Sequence, residues 1–301
     1  MRISSTMIYE LGVSAIQNRM AELVRTQQQL AAGRRLLTPS DDPVAAAQSL
    51  EIGQSLSVTQ QYQANIVRAT QALSLEDTVL SQIARVLQDA KVAAVNAGNP
   101  TLSPANLQAL ATELTGRYQE LLGLANTQDG QGQYLFAGYQ SNVRPFTQTS
   151  GGGVYAGDQG VRSVQISASR RIAINDNGQE VFRPGVAGQD VFQTLDTLIN
   201  QLNTGSITGA QLSAALSGLD NALNNVLRVQ ASVGARLREL DATDGTHGDS
   251  VLQYQTTLSE LTDLDYTKAI TDLTRTQTAL EAAQKSFVSV SQLSLFNYIG
   301  G

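Results

Sequence analysis

Two apolar repeats at opposite ends of the 301-residue chain constrain its fold more than any other feature of the sequence. In each repeat, apolar and amide side chains recur every 3.5 residues on average, which places them along one side of a helix. A helix with a single apolar stripe needs a partner, so we expect the two ends to pair. The C-terminal seam comprises Tyr266, Ile270, Leu273, Gln277, Leu280, Gln284 and Phe287, and the N-terminal seam Val13, Ile16, Met20, Leu23, Gln27 and Leu30.

The amides within these seams reduce the apolar surface that pairing can bury. Gln277 and Gln284 occupy seam positions where an apolar residue would contribute more. We therefore expect terminal helices that are loosely held in a free subunit and become ordered among neighbouring copies of the chain.

Between the two ends the sequence predicts further long helices. The first helix should end at Gly33, and Asp42-Pro43 is a cap followed by a proline that suits the first helical position. The next helix should run to 96–100, and Ser103-Pro104 should start another. A later heptad from Thr208 stays in phase through 241–249, and a one-residue slip near 263–265 predicts a joint before the terminal helix.

The middle of the chain has a different pattern, rich in glycine, serine and valine. Alternation over Val161–Ser167 and Arg171–Asn175 predicts short strands. The predicted fold is mainly α, a long antiparallel helical hairpin or coiled coil formed by the chain ends with a small β-rich domain inserted. We expect a terminal domain (1–38 and 265–301), a helical rod domain (39–137 and 188–264) and an outer β-rich domain (138–187).

Composition excludes several classes of function. The chain has no cysteine, a net charge of −6 and no basic run, which argues against thiol chemistry, thiolate metal sites and nucleic-acid binding. No apolar run is long enough for a membrane span, and Glu10 lies where the apolar part of a signal peptide would be. Physical chemistry alone predicts a soluble, cytoplasmic chain without a cofactor and without enzymatic activity.

Few residues could carry chemistry. His247, the only histidine, lies among Asp241, Asp244 and Asp249, but their spacing is not that of a calcium loop. Gly151–Asp158 resembles one copy of a calcium-binding repeat that works only when stacked, so a β-turn is the better interpretation. A metal-binding coiled-coil module is therefore a remote alternative. The charged pairs at 34–35 and 41–42 are consistent with an intersubunit ion-pair set or with a solvated loop.

The segment around the first helix break resembles a known signature. Its residues Gly33, Arg34, Pro39, Ser40, Asp41, Asp42 and Pro43 are similar to the N-terminal signature of the flagellin superfamily. Asp265–Ile270 resembles the C-terminal counterpart. The start Met1–Ser4, the stretch from Gln133 to Phe146 and the ending Leu293–Tyr298 resemble the hook–filament junction branch of that superfamily rather than filament flagellin.

This resemblance implies a structural component of the bacterial flagellum, an adaptor between hook and filament that assembles through its terminal helices. It implies a ring of identical subunits, with a hook-associated protein on the hook side and flagellin or a junction protein on the filament side. It further implies export by a chaperone and the type III apparatus, without a cleaved signal peptide, to the cell exterior. That location replaces the cytoplasmic expectation, and a filament flagellin or flagellin-like protein is the alternative.

Overall fold

The computed structural model describes residues 5–149, 151–182 and 190–299. Within these ranges the chain is mainly helical. The helices are α1 (Ser5–Ala32), α2 (Pro43–Ala97), α3 (Pro104–Ala125), α4 (Gly178–Phe182), α5 (Val191–Asn203), α6 (Gly209–Thr262) and α7 (Tyr266–Ile299); the strands are β1 (Phe146–Thr149), β2 (Gly152–Tyr155), β3 (Ser163–Gln165) and β4 (Arg171–Ala173). Across the described ranges, no helix has both the length and the apolarity that a bilayer crossing requires.

Local chemistry sets the helix ends where the sequence predicted them. Gly33 ends α1 with φ +65°, a backbone conformation that glycine adopts without steric cost. Asp42 accepts a hydrogen bond from the Ala45 N–H at 3.0 Å, and Pro43 is the first residue of α2. Ser103 caps α3 in the same way. Helix α6 continues through 241–249, and α7 follows it after a break at 263–265.

The chain divides into two compact units, which we call the terminal unit and the rod unit. The terminal unit runs to Val58 and resumes at Asp249, and the rod unit is Thr59–Gly248. In the terminal unit α1 packs along α7, so the predicted pairing of the chain ends is confirmed. The pairing is antiparallel, because Gly12 faces Phe287 near one end of the pair and Gly33 faces Tyr266 near the other. The finer division into three domains, with boundaries at 38/39, 137/138, 187/188 and 264/265, stays a prediction.

The rod unit has one continuous hydrophobic core built from α2, α3, α5 and α6 together with the β-rich segment. The predicted heptad of α2 lies inward, since its members from Ile66 to Ala94 are buried. Five large aromatic side chains are fully buried here, and their rings pack against one another at centroid distances of 5.0–5.7 Å. These are Tyr118, Phe136, Phe146, Phe182 and Phe192.

The β-rich segment forms two antiparallel hairpins. In the first, Phe146 pairs with Tyr155 and Thr149 with Gly152. In the second, Ser163 pairs with Ala173. Only three residues of each strand pair, so these strands are shorter than the alternating segments in the sequence predicted. Buried apolar contacts join the β-rich segment to the helices, because its core includes the side chains of Phe146, Ile166 and Phe182.

The histidine and its acidic neighbours lie on α6. The His247 Nε2 atom is 2.7 Å from the Ile166 carbonyl oxygen, and its ring stacks on Tyr62 with centroids 5.8 Å apart. In the described part of the chain, no group of three or more histidine, cysteine, aspartate or glutamate side chains could hold a metal ion. The structural features of His247 are therefore those of a residue that attaches a β-hairpin to the helices.

Candidate assembly surface

The inner face of the α1–α7 pair is narrow and built around small residues. A Cβ placed on Gly12 would lie 2.5 Å from the Phe287 ring, so the aromatic side chain occupies the space that a larger residue would need. The Tyr9 ring lies 5.0 Å from that of Phe287. Thr26, Ala269 and Thr276 are buried, and the Thr26 hydroxyl donates to the Glu22 carbonyl oxygen at 3.0 Å.

The predicted seam residues divide into two groups in the single subunit. Seven are half-buried, namely Val13, Ile16, Leu23, Leu30, Leu273, Leu280 and Phe287. Three large ones are mainly exposed: Met20 (56%), Tyr266 (53%) and Ile270 (55%). Gln27, Gln277 and Gln284 are exposed as well. In the single subunit these six residues are exposed, although Tyr266 still lies beside Gly33. The course of the seam and the assembly role of its residues stay predictions.

The exposed positions recur every seven residues, at 270, 277 and 284 on α7 and at 20 and 27 on α1, so one of the two stripes of each predicted seam is exposed. At three points the inner position is taken by a small residue directly before the predicted one: Thr26 before Gln27, Ala269 before Ile270, and Thr276 before Gln277. Small side chains allow two helices to approach closely, but they give little hydrophobic signal in a sequence.

The exposed seam residues leave both terminal helices with uncovered apolar side chains. On α1, Met20, Ala21 and Val24 line a shallow depression bordered by Gln17, Arg25 and Gln28. On α7, Tyr266 and Ile270 are exposed within the first two turns. We call Met20, Val24, Tyr266 and Ile270 the outer apolar residues. A contiguous exposed apolar patch can mark a protein contact, whereas apolar side chains exposed singly are common on protein surfaces.

The signature residues form a loop between α1 and α2 that is bound to the joint between α6 and α7. The Leu264 N–H donates to the Gly33 carbonyl oxygen at 3.2 Å, and the Arg35 N–H donates to the Thr262 carbonyl oxygen at 2.9 Å. Arg34 forms an antiparallel bridge with Asp263. The backbone after α1 is therefore bonded directly to the end of α6 and to the joint before α7.

Its charged side chains bind within the same subunit. The Arg35 guanidinium donates to the Leu261 carbonyl oxygen at 2.7 Å and to Asp42 at 3.2 Å. Asp41 accepts the N–H groups of Leu37 and Thr38, each at 2.9 Å, and forms an ion pair with Arg25. Arg35 and the two aspartates thus have partners within a single subunit, and whether the charged loop also forms ion pairs between subunits stays a prediction.

The pKa values of the two aspartates in this loop are lowered. Hydrogen bonds from the Thr38 and Leu37 N–H groups, together with the charge of Arg25, lower the pKa of Asp41. The Ala45 N–H and the Arg35 side chain lower the pKa of Asp42. Both groups are accordingly charged at neutral pH. In the rest of the loop, the Thr38 and Ser40 hydroxyls are 2.8 Å apart, and Pro39 and Ser40 are exposed.

Comparisons with known proteins place this geometry in a family. Residues 3–141 match the bacterial flagellin N-terminal helical region. The chain is 37% identical to flagellar hook-associated protein 3 of Salmonella typhimurium and 36% identical to that of Escherichia coli, with 98% of this chain and 99% of each relative covered. A solved structure described as a flagellar hook-associated protein from Vibrio parahaemolyticus is 27% identical, with a TM-score of 0.70, and covers 74% of this chain and 100% of that chain.

The similarity extends over both chain ends, the signature loop and the β-rich segment, because the alignments with the two curated relatives cover nearly the whole length of each chain. On this evidence the chain belongs to the family of flagellar hook-associated protein 3, within the flagellins.

Proposed function

We propose that this chain is the adaptor between the hook and the filament of a bacterial flagellum, and that it assembles as a ring through its terminal helices. One observation carries the assembly part of the proposal. Met20, Val24, Tyr266 and Ile270 expose apolar surface on helices whose own pairing is narrow and only half-buried. Neighbouring chains would cover this surface in the ring.

Family membership sets the broader role. Proteins of this family are structural components of the flagellum rather than enzymes. A related solved structure from Legionella pneumophila is described as a flagellar junction protein. An adaptor at that position contacts a hook-associated protein on one side and flagellin or a further junction protein on the other. Export as an unfolded chain, by a chaperone and the type III apparatus, would bring it to the cell exterior.

The outer apolar residues offer a direct test. Ile270→Asp places a charge on an exposed position in the second turn of α7, so the subunit itself should fold normally. Burying that charge against a neighbouring chain costs several kcal/mol, so the ring should fail to form. Cells that carry only this variant should be non-motile and should release flagellin into the medium.

Val67→Asp is the matched control, because Val67 is an exposed apolar residue of similar accessibility (52%) on the rod unit. It should preserve motility. Equal motility of the two variants would contradict a role for Ile270 in assembly. Immunogold labelling of purified flagella then separates the adaptor from a filament flagellin, since an adaptor is labelled at one junction and a flagellin along the whole filament.

A further inference from the structure

The β3–β4 hairpin is bonded to both α2 and α6 at its turn. The Asn65 side chain of α2 donates to the Gln165 carbonyl oxygen at 2.9 Å. The next carbonyl oxygen, that of Ile166, lies 2.7 Å from the Nε2 atom of His247 on α6. A carbonyl oxygen only accepts hydrogen bonds, so Nε2 carries the proton here. Two consecutive carbonyls of the hairpin are therefore bound by two different helices.

The base of the hairpin is held by the same two helices. Glu76 on α2 accepts the Asp176 N–H at 3.0 Å. Arg236 on α6 binds the Asp176 carboxylate and donates to the Ala173 carbonyl oxygen at 3.2 Å. Glu76 is buried, and the side chains of Arg236 and Asp176 are only 13% and 16% exposed, so water competes little for these bonds. Asp176 thus links α2 to α6 just after β4.

The two attachments have the same spacing on both helices. Asn65 and Glu76 are eleven residues apart on α2, and Arg236 and His247 are eleven residues apart on α6. Eleven residues make three helical turns, about 16 Å, so each helix presents both of its side chains on one face. Residue numbers rise along one helix as they fall along the other, so the attachments define one antiparallel alignment of α2 and α6.

The apolar core specifies this alignment less strictly. On α2 a buried apolar residue recurs every seven positions from Ile66 to Ala94, and on α6 from Leu219 to Leu240. A shift of one helix by a heptad, about 10 Å, would again place apolar residues opposite apolar residues. Polar groups inside helical assemblies fix a single register, because a shifted register leaves them unpaired.

A direct contact between the two helices agrees with the alignment. Lys91 and Asp220 form an ion pair, fifteen residues beyond Glu76 on α2 and sixteen before Arg236 on α6. Their side chains are 39% and 44% exposed, and an exposed ion pair contributes little to stability. The ion pair therefore follows the register that other contacts set.

We propose that the β3–β4 hairpin is a strap that fixes the axial register of α2 against α6 through polar attachments at its two ends. Ile166 and Ile172 are buried and hold the hairpin in the core. Apolar contacts are non-directional, whereas hydrogen bonds require a defined geometry, so the polar attachments rather than the core select the alignment. The strap lies entirely within the rod unit and does not depend on the proposed function.

Spin labels on the two helices measure the register. The chain has no cysteine, so Val67→Cys/Asp241→Cys places labels only at two exposed positions, one on each helix. Double electron–electron resonance on this otherwise native chain should give one narrow distance. The strap variant, Asn65→Ala/His247→Ala/Arg236→Met, removes attachments at both ends of the hairpin. A second population should then appear, with one helix shifted by a heptad, about 10 Å along its axis.

Asn225→Ala is the matched control. Asn225 of α6 also donates to two carbonyl oxygens, those of Glu180 and Val181 at 2.8 and 2.9 Å, but these belong to α4 and not to the hairpin. The control should keep one narrow distance. A single unchanged distance in the folded strap variant, or a second population in the control as well, would overturn the proposal.

Circular dichroism shows whether the strap variant folds. If it does not, the milder variant Asn65→Ala/His247→Ala decides, because it removes only the attachments at the turn. A broadened distance distribution in this variant would support the strap, and a distribution identical to that of the native chain would contradict it.

Discussion

The rod unit has a core of fully buried large apolar side chains, whereas none of the large apolar side chains that the structure describes in the terminal unit is buried. The rod unit encloses Phe146, Phe182 and Phe192 completely within a core shared by helices and hairpins. In the terminal unit, Phe287 is only half-buried, and Ile270 is mainly exposed. Hydrophobic stabilisation scales with the area removed from water, so within a single chain the rod unit gains more of it than the terminal unit does.

The largest expected difference between the units concerns phenylalanine truncation. Phe146→Ala removes a fully buried ring from the aromatic core, so the free energy of unfolding of the rod unit should fall by about 3–5 kcal/mol. Phe287→Ala removes a half-buried ring and should cost much less in the free subunit. Urea unfolding followed by circular dichroism measures both. Similar losses for the two variants would show that the units are equally well packed.

A smaller effect is expected from filling the space beside Phe287. Gly12→Leu places a side chain where the ring now lies, and overpacking of this kind costs about 1–3 kcal/mol. Hydrogen exchange along α1 and α7 should accelerate, with no change in the rod unit. Gly116→Leu is the control, since open space surrounds the missing Cβ of Gly116. If Gly12→Leu leaves the exchange of α1 unchanged, the narrow pairing of the two helices is contradicted.

The free energy of unfolding of the rod unit should also depend on pH. Burial of Glu76, next to the charge of Asp176, raises the pKa of Glu76 well above its ordinary value. Its Oε1 atom accepts the Asp176 N–H at 3.0 Å, and Arg236 binds the Asp176 carboxylate. The folded state therefore holds this proton more tightly than the unfolded state. The contribution of Glu76 to stability is complete below the unfolded pKa and is lost as pH rises towards the folded pKa, at no more than about 1.4 kcal/mol per pH unit.

Glu76→Gln should remove this loss and flatten the dependence of the unfolding free energy on pH above about 4.5. Glu239→Gln is an informative counterpart. The side chain of Arg170 lowers the pKa of Glu239, so its contribution is lost in the opposite direction, as pH falls through that lowered pKa. Urea denaturation at a series of pH values measures both slopes. Parallel curves for native protein and Glu76→Gln would refute the assignment.

The smallest expected effect is at the cap of α2 in the signature loop. Asp42→Ala removes the acceptor of the Ala45 N–H and the partner of Arg35, and loss of an N-cap costs about 1 kcal/mol. The loss should appear in the terminal unit, which contains this loop, as faster exchange of the amides at 44–47. Ser40→Ala removes an exposed hydroxyl from the same loop and should have little effect. Equal effects of the two variants would argue against the capping role.

Local patterns predicted the helical framework. The caps at Asp42 and Ser103, the break at Gly33 and the joint at 263–265 follow from backbone chemistry within a few residues, and the structure confirms them. Signature residues such as Asp41 and Asp42 were identified from sequence because the resemblance lies in a short continuous segment.

Contacts between distant parts of the chain could be predicted less well from the sequence. Glu76 interrupted an apolar heptad in the sequence, and only the fold shows that it is 2% exposed and bonded to a loop one hundred residues later. Phe146 and Phe182 lie in a glycine-rich segment, and only the fold shows that their side chains belong to the same core as those of the helices. Sequence periodicity records which residues share a face, not which other element covers that face.

The sequence by itself determined the helix limits, the pairing of the chain ends and the family, because periodicity, caps and signature residues are local. Tertiary structure alone decided which stripe of the terminal helices lies inside. Ala269 and Thr276 occupy the inner face and leave Ile270 outside, since close helix packing selects small side chains. The hydrophobic pattern of a sequence, by contrast, is determined by its large apolar side chains.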